Sequence, residues 1–270
     1  MVSSRTGDRV DDPRIAVIQQ EISDRRKGKI RKYRELVIGR PGLAPLLIHE
    51  LVMLTSSWVP GGLGLFLRSK LYPYLLGACG SNVSFGQNVV LRHPHKIRLG
   101  SNVVIDDNCL LDAKGTDNRG IELSDGVFLG RNSILSCKNG NILLEQGANL
   151  GFNCEIFSAD EVRVGRQVMF AAYVYLVGGD HLHDRIDVSV AHQGRVGLPI
   201  TVEEGAWLGA HVVVAGGVRI GKHAIIGAGG VVLEDIPDYQ VAAGVPTKLL
   251  RDRRSGAGGG RDGNDVEKKG

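Results

Sequence analysis

The stretch that decides the fold reads Leu99-Gly100-Ser101-Asn102-Val103-Val104-Ile105-Asp106-Asp107-Asn108-Cys109-Leu110-Leu111. A large aliphatic residue returns at every sixth position: Leu99, Ile105, Leu111. The same spacing recurs in groups of three along the chain. The groups are Leu123, Leu129, Leu135; Leu144, Leu150, Ile156; Val164, Phe170, Leu176; Val202, Leu208, Val214; and Ile220, Ile226, Val232. Phe85 and Leu91 suggest a partial earlier group. Four residues after the first two anchors of each group stands a short residue, among them Val103, Cys109, Ser133, Ala148, Ala206 and Gly230. Gly follows the anchor at 100, 130, 151, 165, 209, 221 and 227, which suits a tight corner.

A period of six repeated three times describes a triangular coil of three flat strands and three corners. Such coils stack at the inter-strand spacing of about 4.8 Å. Each large anchor points inward over the one below and leaves room only for a short residue beside it. The reading is therefore all-β, a parallel β-helix over residues 81–251, preceded by a helical N-terminal region.

Composition agrees. Of 270 residues 43% are apolar, only 5% are aromatic, and 38 are Gly, which fits many turns around an aliphatic interior. The net charge of +4 with mixed signs argues against nucleic acid as a partner. Cys79, Cys109, Cys137 and Cys154 lack metal-ligand spacing, and Met1–Arg14 is too polar for a cleavable leader. A reducing cytoplasm is expected, with the cysteines as small core fillers.

The N-terminal part divides in two. Residues 1–40 are polar and basic, with a possible helix over Ile15–Tyr33. Residues 41–80 are apolar, and from Pro41 to Leu67 the only charge is Glu50. Pro60-Gly61-Gly62 interrupts this run, so it does not read as a membrane span. Leu47, Leu51, Leu54 and Trp58 recur at helical spacing. Two readings stand: a helical cap over the open end of the solenoid, or a segment of 41–77 lying on a membrane surface. Residues 252–270 are Gly-rich and charged and read as a disordered tail.

The gaps between groups mark insertions. Leu111 to Leu123 adds six residues, Leu135 to Leu144 three, Ile156 to Val164 two, and Leu176 to Val202 twenty. A loop over 177–199 must therefore project, and it carries Gly178-Gly179-Asp180-His181-Leu182-His183-Asp184-Arg185.

The repeat, with Ala206-Trp207-Leu208-Gly209-Ala210, Gly216-Gly217-Val218-Arg219-Ile220-Gly221, Ile226-Gly227-Ala228-Gly229-Gly230 and Val241-Ala242-Ala243-Gly244-Val245-Pro246, resembles the hexapeptide-repeat acyltransferases. That superfamily includes maltose and galactoside O-acetyltransferases and exopolysaccharide-biosynthesis O-acetyltransferases. The resemblance implies a left-handed β-helix, a homotrimer with sites between neighbouring subunits, and acetyl-CoA as acyl donor. Residues 1–77 look more like the versions found in surface-polysaccharide biosynthesis, which implies a polysaccharide or glycolipid precursor as sugar acceptor.

The resemblance makes His181 the base, and histidine chemistry suits that task. His183 is the second candidate, and Asp180, Asp184 or Asp187 is expected to orient the ring. The amide near Gly209 or Ala210 is the expected oxyanion donor. Gly209, Ala210, Gly227 and Ala228 are expected along the coenzyme A groove. Trp207 lies near the acyl site or packs at an interface. Lys248, Arg251 and Arg253 meet the coenzyme phosphates or form a solvated basic end. The same fold has zinc carbonic anhydrases, and His181, His183 and His211 invite comparison. Their His-x-x-x-x-His pair is absent here, and no metal is expected. No Cys or Ser is placed as a nucleophile, so direct transfer is expected. The alternatives are N-acetylation of an amino sugar or amino acid, and an inactive trimeric scaffold.

Overall fold

The computed structural model describes residues 28–256. Three parallel sheets run along it and wind a triangular β-helix. Each coil contributes one short strand to each sheet. The predicted anchors stack in register. In the first sheet Leu99 pairs with Leu123, Leu123 with Leu144, Val164 with Val202 and Val202 with Ile220. In the second, Ile105, Leu129, Leu150, Phe170, Leu208 and Ile226 form one column, and Leu111 to Val232 form another in the third. All of these side chains are buried, as are the short residues between them. Burying an aliphatic side chain of this size stabilises by about 1.5–3 kcal/mol, so these columns supply most of the driving force.

The earlier group is a full coil: Cys79, Phe85 and Leu91 pair with Leu99, Ile105 and Leu111. Cys109, Cys137 and Cys154 are buried free thiols. Burial pushes Cys109 up to about 12 and Cys154 up to about 11. Neither can supply a thiolate at neutral pH.

The glycine after each anchor has a different purpose from the one expected. None of the seven adopts a positive φ. The left-handed residue comes two positions later, at Asn102, Asn132, Asn153, Gln167, His211, His223 and Gly229. The glycines are there because the next coil passes too close for a side chain: a Cβ on Gly209 would lie 2.6 Å from the Ala228 nitrogen. Asn suits the left-handed corner because its short side chain bonds locally. Asn82 also donates to Asn102 in the next coil at 2.9 Å.

The first coil poses an edge problem. The Ile105 carbonyl accepts the Gly86 N–H of the coil before it, and the Cys109 carbonyl that of Val90. The equivalent carbonyls of Phe85, Val89 and Leu91 have no preceding coil. The N-terminal region supplies their donors. It comprises α1 (Lys29–Tyr33) running into a π-helical turn Arg34–Ile38, α2 (Ala44–Ser56) and α3 (Gly61–Leu71). Arg68 Nε donates to Phe85 O at 2.8 Å and Tyr72 Oη to Val89 O at 3.2 Å, while His49 Nε2 meets Leu91 O at 3.3 Å. Arg68 Nη1 also binds the Ser56 and Val59 carbonyls, at 3.0 and 2.7 Å.

The cap therefore turns polar groups inward: His49, Ser56 and Arg68 are buried. The predicted stripe of Leu47, Leu51, Leu54 and Trp58 faces outward, each more than 60% exposed. Capping uses the opposite helix face from the leucine stripe.

The turn 34–39 docks on His93 and His95, whose rings stack with centroids 6.2 Å apart. His93 Nε2 meets the Glu35 carbonyl at 2.9 Å. At the other end, Lys248–Asp252 returns antiparallel against Gln240–Ala243. The expected featureless tail does not hold for Asp252–Gly256. Arg254 pairs with Asp252, and Arg253 donates to the His223 carbonyl. Of the expected Ile15–Tyr33 helix, Lys29–Tyr33 is helical; residues 1–27 and 257–270 lie outside the described residues.

Replacing Arg68 with Met strips three carbonyls of their donors at once. Thermal unfolding of R68M is expected to show a loss of about 3 kcal/mol or more. The cap should also loosen in acid. Burial, then Arg40 and His93, hold His95 down at about 4, and burial lowers His93. Below the ordinary histidine value of 6.5 the unfolded chain binds protons that the docked rings refuse, so stability falls as pH falls from 6.5 towards 4. Hydrogen exchange across residues 34–39 should accelerate over that window.

Candidate active site

The longest strand of the β-helix, Tyr175–His181, leaves the third sheet at its C-terminal edge. It becomes one arm of a hairpin whose other arm is Arg195–Gly197, with His181 opposite Arg195. Gly178 and Gly179 permit this exit, because a Cβ on either would strike Phe157, Val162 or Ala159 of the neighbouring strands. The hairpin is braced from within. Gln193 Nε2 donates to the Arg185 and Val188 carbonyls at 2.6 and 2.7 Å, and the Arg185 N–H returns to Gln193 Oε1 at 2.9 Å. The projecting segment is thus a built element.

His181 is half-buried. Its Nδ1 is wholly buried and has no hydrogen-bond partner among the described residues. Two of the three carboxylates expected to orient the ring are engaged elsewhere. Asp180 Oδ1 accepts the His181 backbone N–H at 2.7 Å. Asp187 is paired with Arg185 at 2.6 Å, and that guanidinium holds its carboxyl below the usual range. Asp184 is exposed on the hairpin. His183 is exposed, and its Nδ1 donates to the His181 carbonyl at 2.9 Å.

The expected coenzyme residues lie elsewhere. Trp207 is exposed on the outer face of the second sheet, flanked in register by Met169 and Ile225. Gly209 and Ala210 form the corner between the second and third sheets, stacked on Gly227 and Ala228 of the next coil. Of the two amides expected to meet an oxyanion, Gly209 N–H is committed to the Ile226 carbonyl at 2.8 Å. Ala210 N–H meets no backbone carbonyl among the described residues. Lys248 and Arg251 are exposed, and Arg253 donates through Nη1 to the His223 carbonyl. His211 stacks on Tyr173 at this corner, with centroids 4.7 Å apart.

One chain does not bring these two halves together. Ala210 and Ala172 occupy the same corner position in adjacent coils, as the pairing of Val214 with Leu176 shows. From Ala172 to Gly178 the strand crosses the whole third sheet, about 20 Å at the rise of an extended chain. The hairpin leaves one edge of that sheet, and the Gly209 corner forms the other. His211 lies at the Gly209 corner, whereas His181 and His183 lie on the hairpin.

A charged cluster at the base of the hairpin was not anticipated. Lys138 lies near Lys114, Arg92 and Arg195, and burial and then these cations lower its ammonium against the opposing pull of Asp112. Asp112 is buried, with Arg92 at 3.7 Å. Arg92 and Asp112 each directly follow a third-sheet anchor, and that shared position is the signal a sequence reading could have used.

Comparison with known proteins places this architecture. The family described as bacterial transferase hexapeptide (six repeats) matches residues 199–234. A Saccharomyces cerevisiae protein whose name proposes an acetyltransferase is 36% identical over 185 residues, 68% of this chain and 70% of its own length. The chain belongs to the hexapeptide-repeat acyltransferases. Galactoside O-acetyltransferase of Escherichia coli is 37% identical over 42% of this chain and 54% of its own length. This acyltransferase-family chain spans about half the length of the curated relatives it matches first, 45%, 54% and 47% of each. Among solved structures, an N-acyltransferase from Bacillus cereus, in complex with dTDP-4-amino-4,6-dideoxyglucose and coenzyme A, superposes with a TM-score of 0.50. It covers 73% of this chain and 91% of its own at 16% identity, and so speaks for the fold.

The stacked corner gives a direct test. Gly209→Ala sets a methyl group against the Ala228 backbone, and differential scanning calorimetry should find the variant about 1–3 kcal/mol less stable.

Proposed function

We propose that this chain is an acyl-CoA-dependent O-acetyltransferase that acts on a sugar hydroxyl of a polysaccharide or glycolipid precursor. It works as a cytoplasmic homotrimer at the inner face of a membrane. The observation that carries the reading is the His181 hairpin, a braced projection in the largest break of a coil stack shared with acyltransferases. The identity to galactoside O-acetyltransferase supports a sugar hydroxyl as acceptor.

The separation of the two half-sites supports an oligomer with shared sites. A neighbour packed beside the third sheet can bring its Gly209 corner to this chain's hairpin. It can also supply the partner that His181 Nδ1 lacks, and a base works best when its second nitrogen is held. Ala210 N–H is then the remaining donor for the charge that gathers on the thioester oxygen. Lys248 and Arg251 are placed to meet phosphates in solution.

The reaction is direct. His181 takes the hydroxyl proton as that oxygen attacks the thioester carbonyl. The C–O bond forms, the C–S bond breaks, and the imidazolium returns the proton to the departing thiolate. The buried thiols, pushed up to 11 and beyond, take no part as nucleophiles.

Thiol release from acetyl-CoA with sugar acceptors should fall about 100- to 10,000-fold in His181→Ala, with coenzyme A binding retained. Alkali-stable product would redirect the assignment to N-acylation, and no coenzyme A binding at all would favour a scaffold. A mixing experiment tests the shared site. His181→Ala and Ala228→Trp chains, each inactive alone, should on co-assembly regain about a quarter of the wild-type rate, the chance that an intact hairpin meets an intact corner in a random ring. No recovery would place both half-sites in one chain.

A further inference from the structure

The cap helices are inverted relative to ordinary amphipathic helices. Their inward face sets His49, Ser56 and Arg68 beside Val52, and a stripe of large apolar side chains faces out. On α2 the outward residues are Leu47, Ile48, Leu51 and Leu54, followed by Trp58, and on α3 they are Leu63, Leu65 and Phe66. Exposure across this group runs from 47% to 72%. Both helices turn their inward stripes to the same first coil, so the outward stripes share one end of the molecule. A contiguous apolar face of this kind marks an interaction surface.

The surroundings of the face specify its partner. Residues 28–77 carry seven cations, Lys29, Arg31, Lys32, Arg34, Arg40, Arg68 and Lys70, against two carboxylates, Glu35 and Glu50. Only Arg68 among the cations is buried. Glu35 pairs with Arg31 at 2.8 Å, and Glu50 accepts from Tyr33 Oη at 2.6 Å and meets His49 at 3.2 Å. Tyr33 therefore fastens the basic α1 beside α2. At the other margin Lys70 lies 5.9 Å from the Phe66 ring centre. Leu65, Phe66, Ser69, Lys70, Ser81 and Asn82 line a groove of about 480 Å³ between α3 and the first coil, continuous with the apolar face. An apolar plateau with Trp at its margin and a basic rim is complementary to an anionic bilayer: side chains enter the acyl boundary while ammonium and guanidinium groups meet phosphates. The Trp58 indole N–H already donates to the Leu54 carbonyl at 2.7 Å, so the ring can leave water without losing a hydrogen bond.

We infer that the outward face of α2 and α3 docks this protein on anionic phospholipid bilayers, with Lys29, Arg34 and Lys70 at the lipid phosphates. This deepens the peripheral location in the proposed function and rests on it only for the side of the membrane. The docking leaves the β-helix axis pointing away from the bilayer, because the face lies at the end of the stack.

Flotation of the full chain tests it, using vesicles of phosphatidylcholine alone or mixed with phosphatidylglycerol. The wild type should float with the mixed vesicles and less so as salt rises. Leu51→Glu with Leu54→Glu should cut the bound fraction at least about tenfold. Lys29→Gln, Arg34→Gln and Lys70→Gln should each cut it about fivefold on the anionic vesicles only. Trp58 emission, read in a Trp207→Phe chain, should shift to the blue on the mixed vesicles. Wild type that stays unbound, or a Leu51/Leu54 variant that floats undiminished, overturns the proposal. So does a wild-type particle that the same variant breaks into smaller units without vesicles, which would make the face a contact between copies. His181→Ala should float as wild type does, so loss of transfer and loss of docking are read separately.

Discussion

Backbone hydrogen bonds in this molecule run along its axis, from coil to coil, and that constraint organises everything else. Every coil hands its N–H groups forward and receives others from behind. The stack therefore cannot simply stop. At the first coil the Phe85, Val89 and Leu91 carbonyls face an absent neighbour, and Arg68, Tyr72 and His49 answer them. An exposed parallel edge would be a template for unwanted pairing. The polar groups on the inner face of the cap are thus dictated by backbone chemistry, and apart from Val52 and its partly buried neighbours Met53 and Leu71 the large aliphatic residues of the same helices are left on the outside.

The coil stack was legible in the sequence because one position in six had to satisfy the same packing equation many times. The anchors from Leu99 through Val232 stack as the spacing predicts, while the group read as partial at Phe85 and Leu91 is a full coil completed by Cys79. The corner glycines were located but misread. Their spacing is visible in sequence, but whether a glycine serves φ or clearance depends on the neighbouring coil, and the left-handed duty falls to Asn, Gln, His or Gly two residues later. The cap was read as a choice between covering and lying on a surface. Helical spacing shows that a stripe exists but not which stripe meets the protein. The answer lay in His49, Ser56 and Arg68, polar residues that only a row of orphan carbonyls can make inward.

The candidate site was legible by element and less so by partner. The hairpin follows from a count of residues between Leu176 and Val202. The engagement of Asp180 with a backbone N–H, of Asp187 with Arg185, and of Arg253 with His223 does not. These are short-range bonds whose geometry depends on turns that have no period. The charged cluster of Arg92, Asp112, Lys138 and Arg195 was missed for a related reason. Its members come from separate coils and a hairpin arm, and only the stacking brings them together.

The twenty-residue excursion leaves no trace in the core. Val164 pairs with Val202, and Leu176 with Val214, as though nothing lay between. Selection can therefore lengthen, shorten or rewrite the hairpin without renegotiating a single aliphatic contact. The hairpin is thus free to vary in length and chemistry, while the coils and their helical cap keep one packing.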